Sequence, residues 1–218
     1  MNEINKIIDK YSSEFYLIFS SIQASNWGDQ RTALNYLNKY WIEKSDYEHK
    51  WKLVQNCIFI NQNSGYPDLV FNKDFTLYAD LGGVLFEKSD FRVFQEFLKE
   101  IGESTFLIIE NTFGKLDAPQ LRMQYPINIT WDELMSGNFL SSVLFESSVN
   151  EYFVFGGKSD WGMYAPNECE NPLNIFGSKG QSLNALKKHF RQTKEDWEEI
   201  KRWLPPIYKN KIECNFKN

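Results

Sequence analysis

From Leu121 to Ile129 the chain alternates strictly: Leu121, Met123, Tyr125, Ile127 and Ile129 are apolar, and Arg122, Gln124, Pro126 and Asn128 stand between them. A period of two puts successive side chains on opposite faces of an extended strand. The chain must therefore build a sheet with one face against a core. Pro126 has no amide hydrogen to give to a ladder, which places this strand at a sheet edge or at a bulge.

Elsewhere the period changes to three and four. Ile4, Ile7, Ile8, Tyr11, Phe15, Ile18 and Ile22 form one stripe over Asn2 to Ile22, which predicts an amphipathic N-terminal helix. Asp29 is placed to cap a second helix, lined by Leu34, Leu37 and Trp41 and running to about Glu43. Phe91, Phe94, Leu98 and Ile101 predict a central helix over Asp90 to Ile101, with Gly102 placed to end it. Thr130 with Glu133 has the form of a capping box for a short helix. A helical segment follows over about Ser182 to Phe190. Thr193 and Asp196 open a last helix that Pro205 and Pro206 end.

Between these helices lie short apolar runs. FTLYADLGGVLF, Phe75 to Phe86, predicts two strands around a Gly82-Gly83 hairpin, and TFLIIE, Thr105 to Glu110, a central strand. Ser142 to Phe145, Tyr152 to Phe155 and Trp161 to Ala165 predict three successive antiparallel strands. The mixed order of helices and strands, without internal repeat or linker, points to an α+β fold: an antiparallel or mixed sheet packed with N-terminal, central and C-terminal helices. One domain over residues 1–218 is the simplest organisation, and a helical N-terminal subdomain over residues 1–63 is compatible with the pattern.

Composition narrows the function classes. At 218 residues with 42% apolar and 24% charged side chains, the chain has the composition of a globular protein. No run approaches the roughly 18 apolar residues a membrane helix needs. The first residues lack the basic start and uninterrupted apolar centre of a secretory signal, and the expected location is cytoplasmic. Cys57, Cys169 and Cys214 are odd in number and scattered, as expected of reduced thiols, with Cys57 buried in the apolar run CIFI. A net charge of −5 gives no basic surface for phosphates, so nucleic acid is not an expected partner. Aromatic residues make up 17% of the chain, a supply that serves cores and recognition surfaces alike.

Gly156-Gly157-Lys158-Ser159 looks like part of a phosphate-cradling loop, but Tyr152 occupies the position where that pattern needs its first glycine, and a hairpin turn is expected instead. His49 and His189 stand in no metal-binding arrangement and the cysteines in no C-x-x-C pair, so neither a metal nor a cofactor is expected. Asp132 with Glu133 and Asp196 with Glu198 and Glu199 sit in expected first turns of helices, where acids meet the helix dipole; Glu168 and Glu170 sit in a polar loop. No catalytic residue is assigned.

The segment that stands out follows the glycine turn. Trp161, Tyr164, Asn167, Glu168 and Asn171 combine two large aromatics with hydrogen-bonding side chains on a loop expected at the surface, and they are the candidate binding residues. The stretch NEYFVFGGKSDWGMYAPNECENPLNIFG, Asn150 to Gly177, with a closing helix after it, resembles segments of uncharacterised bacterial proteins that are themselves similar to immunity proteins of polymorphic toxin systems. The resemblance covers about 30 residues. It implies a small protein that neutralises a toxin domain by binding it, and it brings no catalytic residues. The first expectation is thus a non-enzymatic protein-binding protein. An enzyme using two carboxylates on a small or sugar-like substrate is the alternative, and an assembly component pairing through the Leu121–Ile129 edge strand is another.

Overall fold

The computed structural model describes residues 27–60, 65–82, 85–114, 121–137, 139–145, 150–166 and 172–216. The amphipathic segment expected over Asn2 to Ile22 lies outside them.

The described residues form an antiparallel six-stranded sheet between two layers of helices. In chain order come α1 (Trp27–Tyr40), α2 (Lys44–Asp46), a π-helical turn (Tyr47–Trp51), α3 (Lys52–Ile58), β1 (Thr76–Leu81), α4 (Lys88–Glu100), β2 (Thr105–Glu110), β3 (Arg122–Pro126) and α5 (Trp131–Leu134). Then follow a 3-10 turn (Met135–Gly137), α6 (Phe139–Phe145), β4 (Tyr152–Gly156), β5 (Trp161–Ala165), β6 (Leu173–Ser178), α7 (Gly180–His189), α8 (Lys194–Trp203) and α9 (Pro206–Lys209). The strand order is β1-β6-β5-β4-β2-β3. The α+β class read from the sequence is the observed one.

Each sheet face carries its own core. On one face Phe106, Val154, Trp161, Met163 and Phe176 pack under α1, α4 and α7; on the other Leu107, Ile109, Phe153, Phe155 and Ile175 pack under α3, α8 and α9. A strand covered on both sides has no polar face to show, which is why β2 and β4 read as continuous apolar runs. β3 is an edge strand and Pro126 is its last residue, as the missing N–H requires. Its second face is not solvated, however. Arg122 is only 1% exposed; its Nε donates to the Ile42 carbonyl at 3.1 Å and its guanidinium lies over the Trp41 ring at 4.5 Å.

Two capping boxes form as the sequence requires, Thr130 with Glu133 on α5 and Thr193 with Asp196 on α8. Four expectations are corrected. The helix assigned a start at Asp29 already runs from Trp27, with Asp29 inside it. Ser142 to Phe145 is the end of helix α6 and not a strand; the Ser141 hydroxyl accepts the Gly137 amide and donates to the Leu134 carbonyl, tying α6 to α5 and the 3-10 turn. β1 does not turn back on the segment after Gly82. It pairs with β6 over Thr76–Leu81, while Leu85 and Phe86 are buried in the first core. Cys57 is exposed, because α3 turns Ile58 inward and leaves its predecessor outside.

Candidate functional site

β2 ends, β4 begins and β5 ends at the same end of the sheet, and the polar groups of this end meet there. The Tyr164 hydroxyl donates to the Glu151 carboxylate, which also accepts Asn111 Nδ2 at 3.2 Å. The Tyr66 amide in turn donates to the Tyr164 hydroxyl at 2.9 Å. Glu151 and Asn111 are both buried. A buried carboxylate is tolerated only when hydrogen-bonded, and these donors supply that. The network latches the 65–66 segment onto the sheet.

The placement of Tyr164 corrects the expectation that it faces a partner. Its side chain is fully buried in the second core, against Phe153 at 5.4 Å between ring centroids, and Trp161 is equally buried in the first. Both belong to β5, one on each face, because positions 161 and 164 differ by an odd number of residues. Asn167, Glu168 and Asn171 lie outside the described residues, as do Cys169 and Glu170. The two described candidates, Trp161 and Tyr164, are thus turned to opposite faces of the sheet.

What the latch presents is a different set of aromatics. Tyr66 stacks on Tyr208 at 6.1 Å and its hydroxyl donates to the Trp203 carbonyl at 2.6 Å. Trp203 is 45% exposed, and Ile207, on the next helix, 46%. Phe113 lies against Gly65 from the β2 side and is 37% exposed. It holds φ at 53°, a left-handed backbone that a bulky side chain adopts only at a cost. Around these residues the charges are paired: Arg202 with Glu199 and Lys201 with Glu198, both at 2.6 Å, and Trp203 Nε1 donates to Glu199 at 3.0 Å. The outcome is an apolar, aromatic patch on a polar frame, at the end of the sheet.

The glycine turn has its own occupant. The Glu103 carboxylate accepts the amides of Gly157 at 3.1 Å and Lys158 at 2.9 Å and the indole N–H of Trp161 at 2.8 Å. Lys158 Nζ donates to the Ile101 carbonyl. A side chain at Gly156 would overlap that carboxylate, so glycine is required there by close approach. The turn cradles an anion, but the anion is the chain's own.

The remaining candidates for chemistry are dispersed. His49 is exposed and its Nδ1 lies 2.7 Å from the Ser45 carbonyl; His189 Nε2 lies 2.9 Å from Glu100. Glu133 and Asp196 are spent on their capping boxes. Among the described residues no group of three His, Cys, Asp or Glu side chains is placed to hold a metal ion, and no helix is long and apolar enough to cross a membrane.

Glu110, the last residue of β2, accepts the Leu121 amide at 3.2 Å, and burial pushes its carboxyl above the usual carboxylate range. A carboxyl with a raised folded-state pKa holds its proton better folded than unfolded. Its contribution to stability is therefore full at acid pH and is lost as pH climbs from the unfolded value through the folded one. Glu110→Gln, which keeps the acceptor for Leu121, is expected to raise stability at pH 7 and to flatten that decline. Denaturant melts at pH 4 and pH 7 check this, and a variant less stable than the parent at pH 7 contradicts it.

Sequence reasoning missed the patch because Tyr66, Phe113 and the pair Trp203 and Ile207 come from three stretches of the chain, 47 and 90 positions apart, and each reads as an ordinary core residue. Only the pair of prolines after Leu204, which forces α8 to stop with Trp203 at its end, was a usable signal. No family model, no curated protein and no solved structure matches the chain.

Proposed function

We propose that this chain is a protein-binding protein that docks a partner on the Phe113–Tyr66–Trp203–Ile207 patch, in the manner of an immunity protein that neutralises a toxin domain by covering it. The observation that carries this reading is the exposure of large apolar side chains on a surface framed by paired charges. Partially exposed tryptophan and phenylalanine beside a buried polar latch match the make-up of interface hot spots, in which a few aromatics anchor and a polar frame excludes water. The strained φ of Phe113 adds to it, since glycine would sit there more cheaply. The acidity of the chain favours a partner with a basic face.

Trp203→Ala is expected to weaken partner binding by about 1–3 kcal/mol, the scale of an aromatic hot spot, with a much smaller change in stability. Calorimetric titration against the partner, set beside a thermal melt of the same variant, separates the two. Equal losses in both measurements identify Trp203 as a packing residue and end the proposal.

A further inference from the structure

Three donors converge on the Glu103 carboxylate, and each is held in place by something other than Glu103. The turn that carries the Gly157 and Lys158 amides is fixed at both ends on neighbouring strands, since Gly156 is paired with Phe106 of β2 and Trp161 with Ser178 of β6. Inside the turn the Asp160 carbonyl accepts the Lys179 amide at 2.9 Å. The Trp161 indole stands edge-on to Phe94 and Phe97, at 5.8 and 5.6 Å between ring centroids. Packing, and not the carboxylate, sets the direction of its N–H.

The charges of the turn favour an anion. Lys158 Nζ donates to the Ile101 carbonyl, which keeps an ammonium on the residue whose amide binds the carboxylate. Asp160, the acid of the turn, is directed elsewhere, its Oδ2 accepting the Ser182 hydroxyl at 2.7 Å. Glu103 itself reaches the turn from outside the hairpin. Gly102, at a φ of 73°, ends α4, and the Glu103 amide donates back to the Leu98 carbonyl at 2.9 Å. Donors and occupant thus come from separate elements, and the donors do not depend on the occupant for their position.

We propose that the turn is a carboxylate-binding site in its own right, plugged by Glu103, and that it takes a free small monocarboxylate once the plug is withdrawn. N–H groups already aligned bind an anion without first having to be ordered, and hydrogen bonds to a charged acceptor are the strong ones. Truncation of Glu103 to alanine removes a CH2–COO⁻ group, which has the heavy atoms of acetate, so acetate is the ligand of matching shape. In the parent the tethered carboxylate acts at an effective concentration that a free one does not reach, and the site is closed. A loss of stability on truncation shows only that the contact matters; binding of a free carboxylate shows that the donors stay aligned without it. This site is separate from the Trp203 patch and does not rest on the protein-binding reading.

The test follows the amide and indole N–H shifts of the isotope-labelled Glu103→Ala chain, titrated at constant ionic strength with acetate and with acetamide, its neutral counterpart. Acetate is expected to give saturable shifts confined to Gly156–Trp161 and Ile101–Ser104, largest at the Gly157 and Lys158 amides and the Trp161 indole, and to bind roughly tenfold more tightly than acetamide. The parent, with Glu103 in place, is expected to show no saturable shift at these positions. If Glu103→Ala is unfolded in buffer, the titration is run in sucrose, which favours the compact state. Acetate without saturable shifts, acetamide that binds as tightly, the same shifts in the parent, or a variant that stays unfolded in sucrose with acetate overturns the proposal.

Discussion

Glu103→Ala is expected to destabilise the fold by about 3–5 kcal/mol, because one carboxylate accepts three donors. The two turn amides can find water when it is removed. The Trp161 indole N–H cannot, since that side chain is 1% exposed beneath Phe94 and Phe97. Hydrogen bonds to a charged group contribute about 1.5–3 kcal/mol each, and an orphaned buried donor adds its own desolvation cost. Glu103→Gln keeps an acceptor and loses the charge, so roughly half the effect is expected of it. A double-mutant cycle with Trp161→Phe isolates the indole bond: in that background Glu103→Ala should cost at least 1 kcal/mol less. Urea denaturation of the parent and the four variants measures these differences. A loss below about 1 kcal/mol for Glu103→Ala contradicts the description of the turn as an anion cradle filled from within.

The second large effect is expected from one methyl group. Gly162 of β5 and Gly177 of β6 are cross-strand partners, and on the second face of the sheet they open a hollow. The Phe71 ring fills it over Gly177, and Ile58 and Phe59 fill it over Gly162. The two rings meet at 4.9 Å and their backbones form an isolated antiparallel bridge, so the hollow is where the α3 end is keyed to the sheet. A Cβ at Gly177 would overlap the Phe71 ring, which is fully buried and has nowhere to move. Overpacking of this kind costs about 1–3 kcal/mol, and the upper end is expected for Gly177→Ala. Phe71→Ala alone is expected to cost about 3–5 kcal/mol through the cavity it leaves. The two changes together should cost at least 1 kcal/mol less than their sum, since the new methyl occupies part of the space the ring vacates. Additive losses would show that the ring does not rest on the glycine.

These two features mark the boundary of what the sequence makes legible. The TFLIIE strand, the Asp90–Ile101 helix, both capping boxes and the edge position of Pro126 are written in local pattern, because a period or a cap depends on neighbours in the chain. The strand partner of β1 is not, because Gly82-Gly83 satisfies a hairpin on paper while the actual ladder runs to Leu173–Ser178, about ninety positions on. Ser142 to Phe145 differs for another reason: a short apolar run carries no period, and α6 is fixed from outside the run, where the Ser141 hydroxyl meets Gly137 and Leu134. The burial of Tyr164 follows from helices on both faces of the sheet, a layer arrangement that pattern in a single strand does not encode. The glycine-rich turn shows the same limit in reverse. Its amides do hold an anion, but the partner, Glu103, is more than fifty positions upstream.

The central claim is that a partner is held at the end of the sheet through the aromatics around Trp203. A photo-reactive phenylalanine placed at Trp203, and in a second protein at Leu53, which is 63% exposed on α3, tests it in the source cells. Irradiation is expected to give one discrete protein adduct from position 203 and none from position 53. No adduct at 203, or the same adducts from both positions, contradicts the claim.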